Sequence, residues 1–421
     1  MTRLLTSALS SAALIAAPVM AQGGAKPTPA LTLTNLKGPI SDASGKAPAT
    51  SIPNLWDQIL GLPKFKPPVV IDPIILDPID PKQIIPIAEN FDPQAEGLLY
   101  KGGVAQKGYK QGAFRFTCWP TDDYNYDDSI IAPGKIGGSM HGHENFGNTL
   151  GNGKSNYLSL RTTGESTCHN KINRSHYWMP WMQNAKGEIV RSKLMTLYYK
   201  RWAKSDPDCL RKARNGCVDL PNGFRAISGY DPARLGQKQP ENDNHAWRCN
   251  ANLGNDQISE YRDTIDAAVA DCKVDKYGKV EVIGSVAFGD CWNGKLDSQD
   301  HRSHLARSSY GSWGYEKCPA GYDYVIPALT EQVTFEILKG DGPLRLSCDV
   351  MGDKSVAGGV CLHADYREAW SPWALQRIHD VCINQILDCS FGSFGDGEYL
   401  LQQPNKSKLP RIIPAPTRPA M

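Results

Sequence analysis

The chain has 421 residues, a formal charge of +2, 12 Cys, 39 Gly and 30 Pro. The near-neutral balance excludes a strongly basic nucleic-acid binder or an acidic solvating protein. The high, even Cys count points to an oxidising compartment.

In chain order, residues 1–21 read as an export signal. Arg3 supplies the positive start, Leu4 to Val19 is mostly apolar, and Val19-Met20-Ala21 is the expected cleavage site. No later stretch reaches the roughly 18 apolar residues of a membrane span. Residues 22–95 hold thirteen of the 30 prolines, with a loose Asp-Pro-Ile repeat from Val70 to Pro86. Proline at that density excludes helix and central strand, so this segment is expected as an extended, polyproline-like strap or a linker. Residues 96–403 carry all 12 Cys and all 9 His and are expected to fold as one large domain. Residues 404–421 are a second Pro-rich run, expected to be disordered.

Within the folded region, strands are expected at Phe114–Thr117, Leu194–Tyr199, Gly223–Ser228, Val280–Phe288 and Gln332–Leu338, which are β-branched or aromatic runs bounded by Gly, Pro or Asp. A helix is expected from the Ser371 cap and Pro372 through Leu375, Ile378, Cys382 and Ile386, and another near Ile258–Asp271. The expected fold class is α+β and β-rich: a single disulfide-stapled domain with a sandwich-like core and long loops. No CxxC occurs, so the cysteines read as six disulfides, with Cys209–Cys217 and Cys382–Cys389 the simplest pairs.

Histidine carries the chemical signal. In His141-Gly142-His143-Glu144 the two imidazoles would share one face if the segment were a strand. Asp300-His301-Arg302-Ser303-His304 sets two His at a spacing that brings them side by side on a helical turn. His363-Ala364-Asp365 adds a third cluster. Two chemistries compete if these converge. Neutral imidazoles can hold a divalent metal, with His141 and His143 as ligands joined by one or more of His301, His304 and His363. Alternatively Asp300 and Asp365, or Glu144, serve as general acid and base, tuned by His301, His304 and Arg302. A Ser303 triad lacks a GxSxG elbow. Aromatic residues near Gly- and Asn-rich motifs, among them Trp178 and Trp292 with Asn293 beside it, suit stacking and hydrogen bonding to sugars, although packing in the core accounts for most such rings.

The blocks Phe114-Arg115-Phe116-Thr117-Cys118, Asp127-Asp128-Ser129-Ile130, Ser139-Met140-His141-Gly142-His143, Ser175-His176-Tyr177-Trp178-Met179-Pro180, Cys291-Trp292-Asn293-Gly294-Lys295, Asp300-His301-Arg302-Ser303-His304 and His363-Ala364-Asp365 come in a distinctive order. In this the chain resembles a secreted domain of unknown function found in bacteria and fungi, in fungi often fused to WSC-type carbohydrate-binding domains. The likeness runs from about Phe114 to Cys382. It departs between Ser347 and Cys361 and in the Pro-rich N-terminal segment. The resemblance implies an extracellular, glycan-related role centred on His141, His143, Asp300, His301, His304, His363 and Asp365, and it supplies no reaction.

The resulting expectation is an exported enzyme acting on a polysaccharide or cell-wall glycan. Asp300, His301, His304 and Asp365 are its catalytic candidates. Trp178, Trp292, Arg302 and Asn293 would bind substrate, and His141, His143 and His363 a divalent metal. The alternative is a non-catalytic glycan-binding or structural envelope protein. Neither nucleic acid nor a membrane span is expected, and oligomeric state is open.

Overall fold

The computed structural model describes residues 98–234, 244–250, 260–310, 315–338, 340–350 and 357–419. The expected export signal, the segment 22–95 and the first residues of the expected helix at 258–271 lie outside the described residues.

Two sheets face each other. One has six strands in the order His245–Cys249, Lys279–Ala287, Ala328–Leu338, Ser192–Arg201, Gly112–Cys118 and Asp388–Cys389. All neighbours are antiparallel except the last pair. The other has five antiparallel strands in the order Pro120–Asn125, His143–Gly147, His176–Pro180, His363–Arg367 and Arg225–Gly229. The described residues thus form one strand-rich α+β domain, as the sequence-based reading expects.

Period-two alternation explains the first sheet. In Gly112–Cys118, Phe114, Phe116 and Cys118 are buried while the residues between them are half-buried. Their inner face, with Leu197, Val333 and Phe335, meets Phe146, Tyr177, Met179, Ala226, Ala364 and Tyr366 of the second sheet in one core. Tyr177 and Tyr366, opposed in register, stack with ring centroids 5.0 Å apart.

Four strands of the second sheet are buried on both faces. Their inner residues are mainly apolar, whereas their outer residues include His143, Asn145, His176, Trp178, His363, Asp365 and Arg367. Three of these strands are absent from the sequence-based expectation, because histidines, carboxylates and amides mask the β pattern.

The helix predicted from Ser371 exists, with the Ser371 hydroxyl accepting from Ala374 N–H at 3.3 Å and Pro372 opening the first turn. It is shorter than the spacing predicts. It widens to a π-helix over Ile378–Ile383, and Ile386 adopts a left-handed conformation with φ 55°. The second helix is only Ile265–Ala270, because Thr264 caps it and Arg262 is already bridged to Trp247.

Each cysteine pairs with the next one along the chain: Cys118–Cys168, Cys209–Cys217, Cys249–Cys272, Cys291–Cys318, Cys348–Cys361 and Cys382–Cys389. Both expected local pairs are among them. Each contributes about 2–4 kcal/mol by restricting the unfolded chain. Six disulfides fit an exported protein, and no helix among the described residues is long and apolar enough to cross a membrane.

The C-terminal tail differs from the expected disorder. After Asp396–Leu400 pairs with Leu99–Val104, the tail continues along the domain. Arg411 grips Asp341 through both carboxylate oxygens at 2.6 and 3.0 Å, and Ile412–Ile413 pairs with Ile189–Val190. Prolines remove backbone donors, but side-chain anchors replace them.

Candidate metal centre

The outer face of the five-stranded sheet is a polar layer roofed by loops. Register places Asn145, Trp178, Asp365 and Ile227 in one row across four strands. Gly147, His176, Arg367 and Arg225 form the next row. Ile130, from the loop before the His143 strand, packs on Trp178 and Ile227. Arg367 ties that loop down by donating to Ser129 O at 2.8 Å and Ser129 Oγ at 3.1 Å. Asp127 frames it from within, its two carboxylate oxygens accepting from Gly137 N–H at 2.5 Å and Gly153 N–H at 3.0 Å.

Three imidazoles meet under this roof. His141 Nε2 lies 3.0 Å from His363 Nε2 and 2.9 Å from His143 Nε2. The far sides of two rings are fixed by backbone carbonyls: His143 Nδ1–H donates to Asp127 O and His363 Nδ1–H to Cys361 O, both at 2.8 Å. A carbonyl only accepts, so these rings carry their proton on Nδ1 and turn a bare Nε2 lone pair inward. At most one proton, on His141, is then shared among three nitrogens. A divalent cation satisfies all three at once. Nitrogens bound at about 2.0–2.1 Å in a tetrahedral site stand roughly 3.3 Å apart, close to the spacing here.

Burial lowers all three histidine pKa values, and those of His141 and His363 fall well below the ordinary value. Repulsion among the imidazoles adds to this for His141 and His363, while Asp128 and Asp127 partly oppose it at His143. Neutral imidazole is the form that ligates metal.

Two orphaned polar atoms belong to residues on the same face of the sheet as the trio. Asp365 Oδ2 is 3.8 Å from His363 Nε2, buried and without a hydrogen-bond partner. Trp178, opposite Asp365 in register, has a buried Nε1–H that likewise lacks one. An acceptor and a donor left open beside three inward lone pairs mark room for a polar ligand. Burial and then the Asp128 carboxylate raise the Asp365 pKa well above the usual range, with Arg302 partly opposing.

Gly142 sits between two of the trio, against Trp181. A Cβ there would fall inside the indole ring. Gly142→Ala is therefore expected to cost about 1–3 kcal/mol by overpacking. Thermal unfolding under non-reducing conditions checks this, and the same variant should hold metal more weakly because His141 and His143 must shift.

The remaining candidates divide. Arg302 comes close: it donates to Gly229 O at 2.8 Å and Tyr230 O at 3.1 Å, and its charge lowers the His363 pKa. His301 and His304 stand outside the trio. His301, in a left-handed conformation with φ 57°, turns Nδ1 to Asp297 at 3.0 Å, and that carboxylate also holds Arg225 at 2.7 Å. His304 contacts Ser298 Oγ at 2.9 Å, and burial lowers its pKa to about 4.

Asp300 is committed to its own turn. One oxygen accepts from Arg302 N–H, Ser303 N–H, Ser303 Oγ and Ser298 Oγ. Although partial burial opposes it, these donors hold its pKa well below the usual range. Trp178 and Trp292 are fully buried and offer no face to a polysaccharide, because both rings are enclosed by packing. Trp292 Nε1–H donates to Lys295 O at 2.6 Å, and Asn293 Oδ1 accepts from Lys295 N–H at 3.0 Å, so both stabilise a turn. Glu144 points to the opposite face, where it accepts from Tyr124 OH at 2.6 Å.

Sequence reasoning missed Asp127, Asp128 and His176. His176 looks isolated in sequence, yet it contacts Asn145 Oδ1 at 3.0 Å and lies over the Trp178 ring. The pair Asp127-Asp128 was visible as a motif without an assigned role.

A family model described as a domain of unknown function, DUF1996, matches residues 128–370. The chain belongs to this family. The DUF1996 region takes in His141, His143, His363 and Asp365, together with the His301–His304 turn. No curated protein and no solved structure matches the chain.

Proposed function

We propose that this DUF1996 protein is an exported metal-dependent enzyme acting on a polysaccharide or cell-wall glycan. The Nε2 atoms of His141, His143 and His363 are its ligands. The observation that carries this reading is the convergence of three inward-facing imidazole nitrogens at 2.9 and 3.0 Å. Three neutral histidines suit zinc, copper, iron or nickel, and a three-His set leaves a position for water or substrate. Such an ion lowers the pKa of bound water towards neutrality. A bound cation would favour the ionised form of Asp365, which would then accept a proton at the site, and Trp178 Nε1–H would donate to an oxygen held there. Arg302 supplies positive charge beside His363. The glycan class rests on the export signal and on the resemblance to secreted domains joined to carbohydrate-binding modules.

A second reading is favoured by the depth of the site. His143 is 0% exposed, His363 3% and His141 8%, which also suits a structural ion joining the roof loop to the sheet in a non-catalytic glycan-binding or envelope protein.

Elemental analysis of untagged protein, followed by a polysaccharide panel, tests both. The enzyme reading expects about one ion per chain and released product, since catalytic three-His sites keep an open position. Absence of an ion, with none taken up from added divalent salts, refutes the metal centre. Asp365→Asn separates the readings. Metal content should persist while product release falls about 100-fold or more if Asp365 is the base, and glycan binding without any product from the parent chain supports the structural alternative.

A further inference from the structure

We propose that the end of the C-terminal tail, residues 414–419, is a displaceable cover over the mouth of the His141–His143–His363 centre, latched by Arg418. The assignment of a mouth rests on the metal reading above; the placement of the tail does not.

The tail starts from firm anchors. Leu401 N–H donates to Leu98 O at 2.7 Å, and the Gln403 amide donates to Ser166 O at 2.7 Å and Cys168 O at 2.5 Å. The Arg411–Asp341 pair and the Ile412–Ile413 pairing carry it across the domain. Beyond Ile413 its footprint falls on the loop that presents the site. Tyr126 OH donates to Pro416 O at 3.5 Å, Arg418 donates to Ser139 O at 3.1 Å, and Pro419 packs so tightly on Gly137 that a Cβ there would meet its ring at 2.7 Å. Ser139 lies two residues before His141. Tyr126 precedes Asp127, whose carbonyl orients His143.

Three observations make this a cover rather than a random contact. His141 is the most exposed of the three histidines, so the approach to the centre runs past its side of the cluster. The Arg418 guanidinium donates to Ser139 O, two residues before His141, which places it on that same side. Pro414, Pro416 and Pro419 leave this last stretch few backbone donors, so it can lift without breaking a sheet ladder.

The test compares the full chain with a chain ending at Ile413, with Arg418→Ala, and with Lys406→Ala as a tail variant whose ion pair to Glu165 is mostly exposed and remote. Each is loaded with zinc, and transfer of the ion to excess chelator is timed. The shortened chain should release zinc about tenfold faster, roughly the effect of losing one hydrogen bond to a charged group. Arg418→Ala should fall between the two, and Lys406→Ala should match the parent. Equal release from the parent, the shortened chain and Arg418→Ala overturns the proposal.

A second measurement does not need a metal. Carbethoxylation of His141 in the chelator-treated chains, read by peptide mass spectrometry, should be faster in the shortened chain and in Arg418→Ala. If no chain holds zinc, the metal reading fails while this labelling still decides whether the tail covers His141. Equal labelling overturns the cover.

Discussion

Replacing His363 by Ala should reduce the bound metal from about one ion per chain to near zero, with affinity weakened by more than the roughly 100-fold that loss of a supporting contact alone can cost. His363 is the ligand to remove for three reasons. It comes from a central strand of the five-stranded sheet, and its Nδ1–H is held by Cys361 O. With Arg367 it also joins the roof loop to that sheet, 222 residues from His141 along the chain. His143→Ala should behave similarly, whereas His301→Ala and His304→Ala should leave metal content unchanged, because their rings are turned to Asp297 and Ser298. Isothermal titration with zinc, supported by elemental analysis, checks the set. Retention of a tightly held ion by the His363 variant, or its loss on replacing His304, would falsify this ligand set.

The second large effect is expected at Glu331. It lies on the inner face of Ala328–Leu338, opposite Val286 on one neighbour and Leu197 on the other. It is 0% exposed, and neither carboxylate oxygen has a hydrogen-bond partner. Burial, and then the charge of Asp365, raise its pKa well above the usual value. Below the unfolded pKa of about 4.5 both states hold the proton, and Glu331 adds no pH dependence. As pH rises above that value the unfolded chain releases the proton while the native chain keeps it, so stability falls by up to about 1.4 kcal/mol per pH unit. Glu331→Met removes this slope and an unsatisfied buried group, and should stabilise the domain by about 1–3 kcal/mol at pH 7. Urea unfolding at pH 5 and pH 8, with disulfides intact, should show a larger gain at pH 8. A gain that does not grow with pH would show that the carboxyl is not held protonated in the fold.

The fold was legible where burial is one-sided. Phe114, Phe116 and Cys118 alternate with half-buried residues, and the strand follows from that pattern. It was illegible where both faces are covered and one of them is polar. His143–Gly147, His176–Pro180 and His363–Arg367 read as site motifs, although they are also strands. The tail was misjudged because proline content reports missing backbone donors and says nothing of Arg411 finding Asp341.

For the site, residue types and spacing already named all three members of the trio. They did not separate these from His301, His304 and Asp300, which have equally suggestive neighbours. A local turn decides that difference. Asp300 gathers donors from Ser298, Arg302 and Ser303, and Asp297 claims His301, so hydrogen bonds within a few residues consume the groups that sequence offers for chemistry.

By itself the sequence determined that the cysteines would be oxidised to disulfides, and the kind of ligand a site would use. Both are local properties of residue type and spacing. Which histidines meet, that Trp178 and Trp292 are enclosed, and that the tail ends beside His141 were decided only by the tertiary structure. Those facts depend on strand register and loop closure between segments up to hundreds of residues apart, and local spacing does not encode them.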